Sequence, residues 1–353
     1  MTAAAEIPLL RLAAQRLAGG FLPTATDAVR WMTASQGQDL RGAMTSVALR
    51  TGGGSSADVR AAFDRGEIVR SWPMRGTLHI VAAEDLPWML HVAAGRVMSG
   101  AAARWRALEL DDATVKSAHD VAVTALAGGG RTTREELFAR WQDAGIATAG
   151  QRGVHLILQL ALTQALCYGP FDGAKQQLVL MEDWIPRPRA LDHDEALGEW
   201  ALRFFASHGP ATVADFARWT KLPLGECRKG IAVAQSGLER WDVEGVTHWM
   251  DPATPARLAA HRSRARGVFL LPGFDEYVLG YADRSVIIPV EHAAAVVPGN
   301  NGVFQHTVVA CGQVVGTWKR APRGSKQPLI ATPLASFSPT VEREIARLAG
   351  ALP

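Results

Sequence analysis

The amino-acid sequence predicts an α+β fold: three tandem winged-helix units, each a helix-turn-helix followed by a β-hairpin, and then a C-terminal β-rich module. Three observations predict it. Segments with apolar residues at helical spacing recur in groups, opened by Ser, Thr or Asp. Each group ends in two β-rich segments joined by a glycine-containing turn. Beyond about Ala265 the helical grouping stops and β-rich runs take over. The copies share little sequence, so the repeat is one of layout. The same alternation also fits an ordinary small α+β unit, or a mixed enzyme fold cut at its loops. The boundaries follow as 1–125, 126–188, 189–255 and 256–353.

Each element has a local reason. In the first unit, "TATDAVRWMTAS" and "DLRGAMTSVALRT" read as helices, and "SSADVRAAFDRG" as a third with serine and aspartate near its cap. "EIVRSWPMRGTLHIVA" is a hairpin hinged at "PMRG". In the second, "TTREELFARWQDAG" combines a threonine cap with glutamates in the first turn. "RGVHLILQLALTQA" is apolar at helical spacing, and "LCYGPFDGAKQQLVLM" places a glycine-rich turn between apolar strands. The third unit reads "DHDEALGEWALRFFASHG", "TVADFARWTKLP" and "PLGECRKGIAVAQSG", then a hairpin "LERWDVEGVTHWMD" turning at "EGV". In the last module "GVFLLPGFDEYVLGYADRSVIIP" and "NGVFQHTVVACGQVVGTWKRA" are expected to be β-rich, and "SPTVEREIARLAGAL" is a serine-capped amphipathic helix.

Composition narrows the function classes. Of 353 residues, 48% are hydrophobic and 20% charged, an ordinary soluble balance, and the net charge of +3 permits an anionic partner without requiring one. No apolar run approaches the ~18–20 residues of a membrane helix, and "MTAAAEIPLLRLAAQRL" lacks a basic segment before an apolar core. The expectation is a cytoplasmic protein. Cys167, Cys227 and Cys311 lie far apart, which argues against a disulfide framework or zinc site. There is no H-E-x-x-H and no G-x-S-x-G, and the glycine-rich "GGGSSADVR" has no P-loop lysine.

"SWPMRGTLHIVAAEDLPW", "LLPGFDEYVLGYADR" and "NGVFQHTVVACGQVVGTWKR" are more specific. With these blocks, in this order, the chain resembles the bacterial winged-helix DNA glycosylases of the AlkZ and YcaQ kind over about residues 8 to 350. That resemblance implies three winged helices with a C-terminal β element, no metal or organic cofactor, and a catalytic Q-x-Q or Q-x-D pair in the first winged helix. "QGQ" places Gln36 and Gln38 on that pair. Glutamine at the second position matches the Q-x-Q branch, associated with interstrand crosslinks and bulky alkylating natural products. Many relatives carry an apolar residue where this chain has Gly37. By themselves the two glutamines would read as turn or cap residues between helices.

Neutral amides suit one kind of glycosidic bond. Glutamine neither gives nor takes a proton near neutral pH. A guanine alkylated at N7 is already cationic, so it leaves without a general acid. What remains is to place a water and to stabilise an oxocarbenium-like sugar with dipoles. One amide carbonyl can accept from that water, and the partner amide can fix its geometry. The expectation is a monofunctional glycosylase for cationic N7- or N3-alkylpurines, in DNA repair and genotoxin self-resistance. Asp39, directly after the pair, is expected to cap the following helix.

Further candidates lie elsewhere in the sequence. In "MRGTLH", Arg75, Thr77 and His79 are expected to bind lesion or phosphate, and Gly76 to let backbone approach. As structure alone, this block is a wing hairpin. Asp275 and Glu276 of "GFDEY" are read as a structural clamp partnering arginines rather than an acid/base or metal pair. For the phosphate backbone, "WKRAPRGSK" offers Lys319, Arg320, Arg323 and Lys326, with Trp318 as a candidate stacking residue. The other cluster, Arg257, Arg262, Arg264 and Arg266, reads equally as a solvated helix face. Trp31, Trp72 and Trp88 are candidates for stacking or core. The six lysines (Lys116, Lys175, Lys221, Lys229, Lys319 and Lys326) are all distant in sequence from the "QGQ" loop, so no lyase step is expected.

The expected partner is double-stranded DNA carrying alkylated purines, met by a monomer at the nucleoid and without a membrane. Two other readings stay open: a non-catalytic winged-helix transcriptional regulator, and a protein that sequesters the alkylating drug itself.

Overall fold

The computed structural model of the chain describes residues 3–300, 302–322, 324–325 and 327–353. Along the chain, three helices followed by a two-stranded antiparallel hairpin occur three times. The first run is Ala25–Met32, Leu40–Ala48 and Ser56–Asp64, then Ile68–Met74 paired with Thr77–Ala82. The second is Asp112–Leu126, Arg134–Asp143 and Arg152–Leu162, then Leu166–Asp172 with Lys175–Leu180. The third is His193–His208, Val213–Thr220 and Leu224–Ala234, then Glu239–Val243 with Val246–Met250.

The capping chemistry read from sequence is present. Thr133 and Glu136 form a reciprocal capping box at the start of Arg134–Asp143. Thr212 and Asp215 do the same for Val213–Thr220. Ser338 caps Pro339–Ala349 through the Val341 N–H.

By compactness the chain divides differently from its linear order. One unit combines Met1–Val59 with Leu197–Pro353, and the other is Arg60–Ala196. In the second, the hairpin strand Ile68–Met74 also pairs with Leu166–Asp172, through Arg70 opposite Tyr168, so two hairpins share a sheet. A long helix, Leu86–Ala107, packs on that sheet and buries Leu86, Trp88, Met89 and Leu90. Trp141 is fully buried and donates its indole N–H to the Ala118 carbonyl, 2.9 Å away.

In the discontinuous unit, the helix Ala3–Ala14 packs along Thr254–Ala265. Arg262 donates two hydrogen bonds, of 2.8 and 2.9 Å, to Glu6 across that contact. Four antiparallel strands follow in the spatial order Leu329–Pro333, Gln313–Arg320, His306–Ala310, Val268–Leu271. Pro339–Ala349 closes one face of this sheet, over a core of Leu270, Val308, Trp318, Leu329 and Ile345. Each such side chain taken out of water contributes about 1.5–3 kcal/mol.

One expectation fails here. Only Val268–Leu271 of "GVFLLPGFDEYVLGYADRSVIIP" is a strand, and Glu276–Leu279 is a short helix. The reason is local: the Asp275 side chain accepts from the Tyr277 N–H and caps a helical turn. Among the described residues, no helix is long and apolar enough to cross a membrane.

Candidate active site and nucleic-acid surface

The "QGQ" loop joins two helices and is fixed at both ends. Thr33 terminates Ala25–Met32 with φ 68°, a left-handed conformation that costs a β-branched residue energy. At the far end Asp39 caps Leu40–Ala48, its Oδ1 accepting from the Gly42 N–H at 3.1 Å. A Cβ on Gly42 would come within 2.6 Å of Asp39 Oδ2, so the cap needs glycine there. Between these ends Gln36 is buried, 8% exposed, and Gln38 is exposed. The nearest carboxylate in sequence is thus engaged as a cap, and neutral amides occupy the loop.

Beneath the loop lies a buried polar network from "GFDEY". Asp275 Oδ2 accepts from Ser46 Oγ at 2.6 Å and from Arg50 Nη1 at 2.9 Å, and Oδ1 accepts from Arg50 Nη2 at 3.0 Å. Arg50 Nη2 also donates to Gln15 Oε1 at 2.6 Å, and Gln15 Nε2 to the Tyr281 hydroxyl at 3.1 Å. Burial would push the Asp275 carboxyl up, but Arg50, with Ser46 and the Tyr277 N–H, overcomes this and holds it below the usual carboxylate range. The arginine clamp expected of this dipeptide is therefore Asp275 on Arg50.

Glu276 does something else. Its Oε1 accepts from the backbone N–H of Gln36 at 3.2 Å, and its Oε2 from Trp219 Nε1 at 2.8 Å. His208 Nε2 lies 3.5 Å from the same Oε2, and all three side chains are buried.

The "MRGTLH" block forms its own cluster in the unit 60–196. Arg75 and Gly76 are the central turn residues, with φ 60° and 70°, the positive values that a tight hairpin of this length demands. His79 is fully buried; its Nδ1 lies 2.8 Å from the Thr77 carbonyl and its Nε2 2.7 Å from Arg75 Nη2. A carbonyl can only accept and a guanidinium only donate, so Nδ1 carries the proton and Nε2 accepts. Burial first, and then the Arg75 charge, push the His79 pKa well below its ordinary value. The structure thus brings Arg75, Thr77 and His79 together, with His79 as a neutral ring inside the hairpin.

On the C-terminal sheet, Lys319 and Arg320 are exposed at the end of Gln313–Arg320. Arg323 and Lys326 lie outside the described residues. Trp318 differs from the expectation of a stacking platform: it is 4% exposed, donates to the Leu271 carbonyl at 3.0 Å, and meets the His306 ring edge-to-face at 4.4 Å. Alternation along the strand explains this, since it turns Trp318 into the core while its neighbour faces out. Trp72 and Trp88 are buried as well. Trp31 is half-buried between the guanidinium groups of Arg16 and Arg257. In the other arginine cluster, Arg262 is spent on Glu6 and Arg257 on Asp251.

Sequence reasoning missed Arg41. Partial burial, then repulsion from Arg41, lowers the Arg320 pKa, while Asp39 opposes the shift. Arg41 is exposed in the first turn of Leu40–Ala48, close enough to Arg320 for its charge to act there. The signal stands two residues beyond Asp39, inside the segment that reads as a capped helix.

The family model described as "DNA glycosylase AlkZ-like" matches residues 29–352. The chain is 28% identical over 349 residues to an interstrand DNA cross-link repair glycosylase of Streptomyces sahachiroi, covering 93% of this chain and 91% of that protein. Its fold is similar to the solved structure of the Streptomyces sahachiroi DNA glycosylase AlkZ, with a TM-score of 0.81 and 27% identity over 99% of this chain and 97% of that one. The chain belongs to the AlkZ-like DNA glycosylase family.

Proposed function

We propose that this protein is a monofunctional glycosylase that hydrolyses the N-glycosidic bond of N7-alkylated purines in duplex DNA, leaving an abasic site. Its substrates include bulky natural-product adducts and interstrand crosslinks, the latter being the damage named for its Streptomyces relative. Its cellular role is DNA repair and self-protection from such genotoxins, as a cytoplasmic monomer acting at the nucleoid. The three runs of helices and hairpin act as winged helices that carry the duplex.

The observation that carries the reading is the loop Gln36–Gly37–Gln38 beside Asp39, whose carboxylate caps the next helix. Gln38 is exposed to accept from the attacking water and to face the developing positive charge at C1′, while the buried Gln36 fixes its placement. A cationic purine supplies its own leaving-group activation, so neither a general acid nor a metal is called for. Lesions as large as a crosslink stay in the groove instead of being extruded into a pocket. Lys319 and Arg320 hold backbone phosphate, as do Arg323 and Lys326, and Arg75, Gly76, Thr77 and His79 shape the lesion-facing hairpin. No lysine acts as a Schiff-base nucleophile, so the abasic product is not cleaved by a lyase step.

The reading is tested by incubating the protein with duplex DNA containing N7-methylguanine and with duplex DNA containing uracil. Release of N7-methylguanine with uracil untouched is expected. Release of neither base, nor of a bulky N7 adduct, by folded protein that binds DNA would favour a winged-helix regulator.

A further inference from the structure

We infer that Glu276 is a positioning residue for the glutamine pair, acting through the peptide backbone of Gln36; this rests on the glycosylase reading above. Both carboxylate oxygens are committed: Oε1 to the Gln36 N–H at 3.2 Å and Oε2 to Trp219 Nε1 at 2.8 Å. Ser207 Oγ donates to the Arg203 carbonyl at 2.7 Å and so accepts from His208 Nδ1 at 2.8 Å, which leaves His208 Nε2 facing Glu276 at 3.5 Å. His208 is itself stacked on Phe204, with ring centres 4.7 Å apart. At 1% exposure Glu276 does not reach solvent or substrate; it faces the underside of the loop.

The neighbouring carboxylate gives this arrangement its meaning. Asp275 grips Ser46 on the helix that follows the loop and Arg50 just past its end, while Glu276 grips the loop. One dipeptide, 240 residues away from Gln36 in sequence, therefore sets where Gln36 stands relative to the helix Leu40–Ala48. A fixed amide needs such an anchor, because misplacement of a reacting group by about 1 Å costs on the order of 100-fold in rate.

The test compares wild type with Glu276→Gln, Trp219→Phe and the double variant. In Glu276→Gln the amide oxygen satisfies either Gln36 or Trp219, and the amide nitrogen then faces the other donor. Removing the Trp219 N–H lets the oxygen serve Gln36 while the nitrogen donates to His208 Nε2. We expect Glu276→Gln to release N7-methylguanine about 100-fold more slowly at unchanged DNA affinity. The double variant should recover at least about tenfold over Glu276→Gln, a non-additivity that simple loss of packing does not produce. Wild-type rates in Glu276→Gln, or a double variant slower than either single one, would overturn the inference. Should the wild type release no base, the functional reading fails, and hydrogen exchange decides the positioning. Faster exchange confined to the peptide 33–39 in Glu276→Gln supports it, and unchanged exchange overturns it.

Discussion

Arg50 and Asp275, 225 residues apart, form a two-pronged ion pair of 2.9 and 3.0 Å at 1% and 0% side-chain exposure. Removing one partner of a buried pair strands the other charge, which costs about 3–5 kcal/mol. Asp275→Ala is expected to lose that much in urea denaturation, and Arg50→Met/Asp275→Ala less than the sum of the single losses. The Asp275 carboxyl is held below its ordinary value, so its contribution is complete above the unfolded pKa of about 3.9 and is lost as pH falls through the lower folded value. Denaturation curves should therefore show a steeper loss of stability below about pH 4 in wild type than in Asp275→Asn.

His79 is predicted to stay neutral and to carry its proton on Nδ1 throughout the physiological range. Its depressed pKa means that its contribution to stability is present above the unfolded value of about 6.5 and declines as pH falls below it. Nitrogen NMR of the ring checks this directly. A pH–rate profile for base release should show no limb that disappears in His79→Gln; a limb that vanishes would make His79 a proton-transfer group.

Lys319 and Arg320 are predicted to act through phosphate. Replacing both by alanine should weaken binding evenly across DNA sequences and reduce the slope of log K against log salt by about 2, one for each lost contact. Base release at saturating protein should change little. Filter binding across a salt series is the measurement.

The cap at Asp39 links stability to activity. Asp39→Ala is expected to cost about 1 kcal/mol, and Gly42→Ala a similar amount, because its Cβ would meet Asp39 Oδ2 at 2.6 Å. Both should slow base release more than they lower DNA affinity, since the loop ends where the cap begins. Thermal unfolding together with single-turnover kinetics checks the pairing of the two effects.

Much of this was legible because its causes are local. The caps at Asp39, Thr133 and Ser338 need only a side-chain oxygen beside exposed N–H groups, and each stands where the sequence suggested. The hairpins announced themselves through glycine turns between apolar runs. Nothing local announces that Glu276 meets the Gln36 backbone or that Gln15, Arg50 and Asp275 share one network. Such contacts arise from topology, as does the return of the chain that joins Met1–Val59 to Leu197–Pro353. "FDEYVLG" read as strand because its residues favour sheets, yet the Asp275 cap decided for a helical turn. Trp318 was judged by its neighbours' charge, whereas strand alternation buried it.

Two neutral amides are proposed to perform the hydrolysis, and the decisive measurement is single-turnover release of N7-methylguanine by Gln36→Ala and Gln38→Ala. A loss of about 100-fold or more in each variant, with DNA affinity and thermal stability unchanged, is the predicted result. Release at wild-type rates by either folded variant would contradict it and move the chemistry away from this loop.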